Sequence, residues 1–177
     1  MKSVHLLPLE SARLRIVPFD SSFLTERYVS WLNDPEVVRH SEQRHRRHTL
    51  ESCAAYWRAI EASPHYFCAI LKKDDGEHIG NMTIVMDIPN QVADIALMIG
   101  ERKYWGSGFG SEAWLAVMEA LFAHLPVRKI TAGTMATNLG MLAVMKKSGM
   151  AEEGRRSRHF LWEGQEVDMV MAARFRS

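Results

Sequence analysis

Apolar positions recur along the chain with two different periods, one typical of strands and one typical of helices. Alternating or short, continuously apolar stretches bounded by turn residues predict strands over residues 13–18, 66–71, 79–86, 93–99, 127–134, 158–163 and 166–175. Apolar residues at helical spacing predict four helices, which run from Ser21 or Ser22 to about residue 33, from Thr49 through Ile60, over 111–125 and over 139–148. Gly149 follows the last helix as its expected C-terminal cap, and Gly164-Gln165 forms the turn of a C-terminal hairpin.

The predicted order of elements is one strand, two helices, three strands, a helix, a strand, a helix and two strands. This order predicts an α/β (α+β) architecture with one mixed central sheet of about six or seven strands and helices on both faces. No repeat, low-complexity tract or flexible linker interrupts the 177 residues, so we expect a single domain over residues 1–177.

Composition narrows the class of protein. Hydrophobic residues make up 47% and charged residues 24% of the chain, which excludes a disordered protein. Apolar runs are too short for a membrane span, and a formal net charge of +1 gives no bulk attraction to nucleic acid or lipid. Residues 1–10 do not form a secretory signal, and Cys53 and Cys68 match no CxxC pattern, so we expect a cytoplasmic protein. The histidines show no metal-binding spacing, and no metal is predicted.

Three alternate glycines, Gly106, Gly108 and Gly110, follow a predicted strand and precede a predicted helix. Glycines allow close backbone approach to a ligand, and a helix N-terminus adds free N–H groups, so the segment predicts an anion cradle suited to a pyrophosphate. A glycine turn without a ligand is the alternative. No GxxxxGK[ST] motif occurs, which excludes a P-loop. Residues 108–113 fit the dinucleotide pattern GxGxxA, but no acidic residue occurs between Glu119 and Glu152 to hold a ribose, which disfavours a dinucleotide-dependent oxidoreductase.

The glycine segment, Tyr104-Trp-Gly-Ser-Gly-Phe-Gly-Ser-Glu-Ala113, resembles the GNAT superfamily of acetyl-CoA-dependent N-acetyltransferases. The resemblance is closest to the branch with ribosomal-protein N-terminal and nucleotide-amino-sugar acetyltransferases. Further matching segments occur in the family's order between about Leu14 and Phe175: residues 28–36, Ile79-Gly-Asn81, residues 93–100, Ala136-Thr-Asn138 and Lys147-Ser-Gly-Met150.

The resemblance implies that acetyl-CoA is the co-substrate. The family's pyrophosphate signature, Q/R-x-x-G-x-G/A, falls on residues 105–110, with Trp105 in place of the usual Gln or Arg. Residues 98–100 are expected to pair with the pantetheine arm, and Asn138 to support the cofactor from the opposite strand-to-helix junction or to cap its helix. The cofactor residues predicted in this way are Met98, Ile99, Gly100, Trp105, Gly106, Ser107, Gly108, Phe109, Gly110, Ser111 and Asn138.

Acetyl transfer to an alkylamine needs a base, because such an amine is mostly protonated at neutral pH. Asp94 occupies the strand position where several family members carry an acidic base, and the alternative is a strand-edge carboxylate without catalytic duty. Glu101 and Glu112 are weaker candidates. A backbone N–H near Met98 or Ile99 is expected to bind the oxyanion. Met145 aligns with the tyrosine that is often the family's general acid, and it cannot donate a proton. Either water or another group protonates the thiolate, or no acid is needed; a non-catalytic CoA-binding module is an alternative function.

Basic clusters at residues 39–48 and 155–159 flank the expected cleft. A positive wall suits an anionic small-molecule or peptide amine as acceptor, whereas solvated surface charge is the preferred interpretation of the two clusters. Aromatic residues do not alternate with the basic ones, so no nucleic-acid partner is predicted. No membrane partner is predicted either, and a homodimer is an open option.

Overall fold

An eight-stranded sheet runs through the computed structural model, which describes residues 6–176. Its strands are β1 (Leu9–Glu10), β2 (Leu14–Pro18), β3 (Tyr66–Lys72), β4 (His78–Asp87), β5 (Val92–Ile99), β6 (Lys129–Met135), β7 (Ala151–Trp162) and β8 (Gln165–Phe175). Their order across the sheet is β1-β2-β3-β4-β5-β6-β8-β7. All neighbouring strands are antiparallel except β5 and β6, so the sheet is mixed as predicted.

The parallel contact between β5 and β6 is short, and the two strands then separate. Only residues 92–94 of β5 pair with β6, where Asp94 is the partner of Thr131. Beyond that point β5 stays paired with β4 as far as Ile99, and β6 stays paired with β8 as far as Met135. Each strand therefore remains hydrogen-bonded on its outer side while a gap opens between them at the carboxyl ends of both.

Helices cover both faces of this sheet. They are α1 (Glu26–Asn33), α2 (Leu50–Glu61), α3 (Phe109–His124) and α4 (Leu139–Lys147). Because side chains alternate along a strand, β3 serves both faces: Phe67 and Ala69 pack with α1 and α2, whereas Cys68 and Ile70 pack with α3 and its neighbours. The prediction of helices on both faces is confirmed.

Several predicted boundaries move for identifiable reasons. The helix α1 begins after Thr25, whose hydroxyl accepts from the Tyr28 N–H, while Asp20 caps a separate 3-10 turn over Ser21–Phe23. The predicted caps Ser21 and Ser22 were therefore wrong. The strand β7 begins at Ala151 rather than at residue 158, because this strand lies at the sheet edge and its exposed polar residues break the alternation. The Thr49 cap of α2 is confirmed, with Ser52 completing a capping box.

The sheet differs from a doubly wound dinucleotide-binding sheet, in which parallel strands predominate. Its single parallel pair leaves no βαβαβ unit around the GxGxxA pattern of residues 108–113. Within residues 6–176, no helix combines the length and apolar character needed to cross a bilayer. Half of the segment tested above for a secretory signal, residues 1–5, lies outside the described part of the chain.

Candidate active site

A cavity of about 1140 Å³ passes through the gap between β5 and β6. On one side its wall is the start of α3 with the glycine loop and the first turns of α4. On the other side it is lined by α1, α2 and the loop of residues 36–48. The cavity therefore joins the two faces of the sheet at the point where the strands separate.

The N-terminus of α3 is open towards this cavity. Gly108 is its N-cap residue, with φ +83°, and no side chain of residues 6–176 caps the helix. The first helical bond runs from the Glu112 N–H to the Gly108 carbonyl, so the N–H groups of residues 109–111 have no intrahelical acceptor. Gly106 has φ +73°, and a Cβ added there would meet no atom within 4 Å. Free N–H groups, a helix dipole and a surface without side chains form an anion-binding cradle.

Arg13 fixes the shape of this cradle from β2. Its backbone N–H and its Nε donate to the two oxygens of Glu112, each at 2.7 Å, and its Nη1 donates to the Ser107 carbonyl at 3.1 Å. The guanidinium also lies 4.2 Å from the centre of the Phe109 ring. Although desolvation opposes the shift, hydrogen bonds from Ser11 and Arg13 lower the pKa of Glu112. Both carboxylate oxygens of Glu112 therefore accept hydrogen bonds, and the residue ties the start of α3 to Ser11 and Arg13.

The edge of β5 that faces the gap carries main-chain groups of alternate residues. The Gly100 N–H donates to the Ile79 carbonyl on β4 at 2.9 Å, so in this antiparallel register Met98 also directs its main chain towards β4. Leu97 and Ile99 consequently direct theirs into the gap. Trp105, at the position where the family usually has Gln or Arg, donates its indole N–H to the Ile99 carbonyl at 2.8 Å.

The facing wall ends in Asn138 at the start of α4. Its Oδ1 accepts from the Met141 N–H at 3.2 Å, and its Nδ2 donates to the Thr134 hydroxyl at 3.0 Å. Asn138 is therefore the helix cap that was expected, and it lines the cavity as well. Met145, further along α4, is 3% exposed and belongs to the core under the sheet.

Most of the residues predicted to hold a cofactor meet at this cavity. Those that line it are Met98, Ile99, Trp105, Gly106, Gly108, Gly110, Ser111 and Asn138. Gly100 instead lies buried against the Trp31 side chain, and Phe109 packs into the core with its ring edge-on to Tyr104. Ser107 is held through its carbonyl by Arg13 and is exposed.

Asp94 lies at the vertex where β5 and β6 separate, outside the residues that line the cavity. Its neighbours Ala93 and Ile95 face the α3 side of the sheet, so its side chain points to the α1–α2 side. The residue is solvent-accessible, yet desolvation of the carboxyl raises its pKa, and a hydrogen bond from the Thr131 hydroxyl at 2.7 Å offsets part of that shift.

The third acidic candidate, Glu101, is committed to other contacts. It accepts from Arg27 Nε at 2.6 Å and from the Trp31 indole at 3.0 Å. Desolvation raises the pKa of Glu101, but the hydrogen bonds from Arg27 and Trp31 outweigh it, so the pKa is lowered overall. Glu101 and Glu112 are both paired with arginines, whereas within residues 6–176 the Asp94 carboxylate accepts only from a hydroxyl, so Asp94 is the one of the three carboxyls whose pKa is shifted upwards.

The wall on the α1–α2 side contains polar groups and arginines. Tyr56 on α2 and Thr83 on β4 are joined by a hydrogen bond of 3.1 Å between their hydroxyls. Arg46 and Arg47, from the first predicted basic cluster, have no ion-pair partner within residues 6–176. They also line an adjoining cavity of about 410 Å³, whose other arginines, Arg39 and Arg44, are paired with Glu163 and Glu42.

The second basic cluster, residues 155–159, does not line the cavity, and β7 contributes Phe160 alone. Arg155 is paired with Glu152 at 2.7 Å and Arg158 with Glu166 at 3.5 Å. No group of three or more His, Cys, Asp or Glu side chains in the described part of the chain is arranged to hold a metal ion.

Sequence reasoning missed part of the site. Arg13, Tyr56, Asn81, Thr83 and Trp114 were assigned no role, although the last four line the cavity. One signal was available: Asn81 and Thr83 are polar residues at alternate positions within the otherwise apolar stretch of residues 79–86, and such a pattern indicates that one face of the strand contacts something polar.

Comparison with known proteins gives one family. Residues 13–151 match the model of the acetyltransferase (GNAT) domain. The chain is 28% identical over 122 residues to a probable N-acetyltransferase, YjcK, of Bacillus subtilis. The aligned region covers 66% of this chain and 67% of that protein.

Solved structures agree on the fold. A GNAT-family acetyltransferase from Bacillus anthracis superimposes with a TM-score of 0.83 at 18% identity, covering 96% of this chain and 99% of that one. The ribosomal L7/L12 α-N-protein acetyltransferase RimL in complex with CoA gives 0.82 at 16% identity, with 93% and 95% covered. Spermidine N-acetyltransferase from Vibrio cholerae with CoA and spermine gives 0.83 at 14% identity, with 94% and 97% covered.

Proposed function

The chain belongs to the GNAT acetyltransferases, and from that premise we propose that it transfers the acetyl group of acetyl-CoA to a primary amine by direct attack. The observation that carries the proposal is the uncapped N-terminus of α3, with its bare glycine cradle, at the mouth of the gap between β5 and β6. Structural neighbours crystallised with CoA share this fold.

The residues of the cradle fit the diphosphate of acetyl-CoA. The unpaired N–H groups of residues 109–111 are donors suited to phosphate oxygens, and the positive φ angles of Gly106 and Gly108 keep side chains out of the approach. The main-chain groups of Leu97 and Ile99 face the gap and are suited to the amides of a pantetheine arm. The Ile99 carbonyl already accepts from Trp105, which leaves the Ile99 N–H as the donor for the oxyanion.

Asp94 is the proposed general base. Its side chain lies on the α1–α2 side of the vertex, and its pKa is raised by desolvation. Hydrogen bonds from Arg27 and Trp31 lower the pKa of Glu101, and hydrogen bonds from Ser11 and Arg13 lower that of Glu112. A carboxylate with a raised pKa accepts a proton from an ammonium group more readily. Because Asp94 and Ile99 are five residues apart on the extended strand β5, the proton passes from the amine to Asp94 through a chain of waters. Met145 is buried and carries no proton to donate, so water protonates the departing thiolate.

The proposed acceptor carries an anionic group in addition to its amine. Arg46 and Arg47 support this, because the other arginines that line the adjoining cavity are paired with carboxylates, and these two have no carboxylate partner in the described part of the chain. Phosphate or carboxylate is the natural partner of such a pair of guanidinium groups.

The test is release of free CoA thiol from acetyl-CoA in the presence of an amine panel: glucosamine, glucosamine 6-phosphate, spermidine and a short acidic peptide with a free N-terminus. We expect turnover with the anionic amines, and we expect R46A and R47A to raise their KM about tenfold each. R156A is the matched control and keeps the wild-type KM, because Arg156 lies outside the cavity and its side chain has no partner among residues 6–176.

The alternatives give different results in the same experiments. Thermal stabilisation by CoA without thiol release from any amine would favour a non-catalytic CoA-binding module. Preferred turnover of spermidine, with R46A and R47A unchanged, would contradict an anionic acceptor.

A further inference from the structure

Unsatisfied buried polar atoms are concentrated at the cavity. Within residues 6–176, four buried side-chain nitrogen or oxygen atoms have no hydrogen-bond partner: His48 Nε2, Asn81 Oδ1, Trp114 Nε1 and Thr137 Oγ1. Three of these four side chains, those of His48, Asn81 and Trp114, line the cavity that passes between β5 and β6. A buried polar atom without a partner destabilises a fold by about 1–3 kcal/mol, so such atoms at a cavity indicate groups that an ordered water satisfies in the free protein and that a ligand can satisfy in its place.

Asn81 is the most informative of the three because its orientation is fixed. It is 4% exposed, and its Nδ2 donates to the Cys68 carbonyl on β3 at 3.2 Å. Rotation of the amide by half a turn would place its oxygen against that carbonyl oxygen, with two acceptors facing each other. The unsatisfied atom is therefore the carbonyl oxygen, and its ligand must supply an N–H or O–H donor.

The position of Asn81 separates it from the path of the pantetheine arm. Its cross-strand partner is Met98, and its neighbour Met82 faces the α3 side, so the Asn81 side chain faces α1 and α2. Thr83, next on the same face, is bonded to Tyr56. The donors of an acyl carrier in the gap would meet Leu97 and Ile99 in the plane of the sheet, whereas the Asn81 oxygen meets whatever enters over the α1–α2 face.

We propose that Asn81 Oδ1 binds the amino group of the acceptor and orients it for attack, an inference that rests on the proposed function. An attacking amine has N–H bonds to donate and one lone pair that must point at the thioester carbon. A hydrogen bond to a fixed oxygen restricts rotation of the nitrogen, so the contact affects both binding and the rate of attack. The neutral amide does this without stabilising the unreactive ammonium form as strongly as a carboxylate would.

The first experiment compares wild type with N81L, a substitution of similar size without the oxygen, and with N90L as the matched control. Asn90 lies in the exposed turn between β4 and β5, outside the cavity. The probe amine is the panel member with the highest wild-type kcat/KM. We expect N81L to lower kcat/KM for this amine by about tenfold or more, and to weaken its calorimetric affinity for the protein–CoA complex, with the affinity for CoA itself unchanged. N90L keeps all three values.

N81D is the second variant, because N81L also removes the hydrogen bond to Cys68. A carboxylate at this site stabilises the ammonium form of the bound amine, so we expect the rise of kcat with pH to move about one unit to the alkaline side. His78, whose imidazole interacts with the Asn81 side chain, has its pKa lowered to about 4 by burial, so it is neutral over the pH range in which the amine titrates. A purely structural role of Asn81 would therefore not move this profile.

The assignment of Asn81 is overturned if N81L keeps the wild-type kcat/KM. If N81L does not fold, a wild-type pH profile in N81D overturns the assignment. Loss of CoA affinity in parallel with amine affinity also overturns it, because Asn81 would then serve the carrier. Absence of thiol release from the wild type with every amine overturns the proposed function, and this inference with it, whereas an active wild type with indifferent Asn81 variants overturns this inference alone.

Discussion

Two glycines allow the cradle to be tested with an internal control. Gly106 lies in the loop before α3 with φ +73°, and Gly76 lies in the turn between β3 and β4 with φ +72°. A Cβ added at either position would meet no atom within 4 Å. Alanine therefore introduces the same backbone strain at both sites, about 1–2 kcal/mol, and no steric clash at either. For a domain of this size, we expect both variants to melt roughly 2–8 °C below the wild type.

Ligand affinity should separate the two variants. Of the two glycines, only Gly106 lines the cavity through which we expect the diphosphate to approach main-chain N–H groups, so only there would an added methyl group lie in the path of the ligand. Each charge-assisted hydrogen bond to phosphate contributes about 1.5–3 kcal/mol, so loss of one weakens CoA binding roughly ten- to hundredfold. G76A leaves the affinity unchanged. Calorimetric titration with CoA measures both. Equal CoA dissociation constants for G106A and G76A would refute the argument that the bare backbone at Gly106 contacts the ligand.

Two further predictions concern carboxylates. D94N should lose most of the wild-type rate at neutral pH, and full activity of this variant across the pH range would contradict the role of Asp94 as base. T131V should shift the acidic limb of the pH–rate profile to higher pH, because loss of the Thr131 hydrogen bond raises the pKa of Asp94 further. Hydrogen bonds from Lys103 and Tyr104 lower the pKa of Glu77 from 4.5 to about 2, so its contribution to stability is complete above pH 4.5 and is lost as the pH falls towards 2. E77Q should therefore lower the free energy of unfolding near pH 6 by roughly 1 kcal/mol, after allowance for solvent screening. In urea titrations, the free energy of unfolding of E77Q should also decrease less between pH 4.5 and 2 than that of the wild type. An equally steep decrease in both proteins would show that Glu77 is not the titrating group.

Local signals made much of the fold predictable. The strands β3, β4 and β5 bury both faces or alternate regularly, and Thr49 and Asn138 are caps with clear side-chain signatures. The edge strand β7 was predicted short because its first residues are exposed and polar, so no period marks them. The start of α1 was displaced because Asp20 and Thr25 are both competent caps, and local sequence does not rank them.

The cradle and the acceptor wall also differ in how far local sequence predicts them. The cradle is a contiguous segment, so residues 105–111 could be proposed from their spacing. The acceptor wall brings together α1, α2, β4 and the loop of residues 36–48, which are separated along the chain and meet only after the sheet has formed. The gap itself arises because β5 and β6 share just three residue pairs, a property of strand pairing that no local pattern encodes.

A crystal structure of the protein with CoA tests the central claim most directly. We predict diphosphate oxygens within roughly 2.7–3.2 Å of main-chain N–H groups between Gly106 and Ser111, with the pantetheine arm between β5 and β6. CoA bound at another surface, or a cradle that stays without ligand in crystals grown with millimolar CoA, would contradict it.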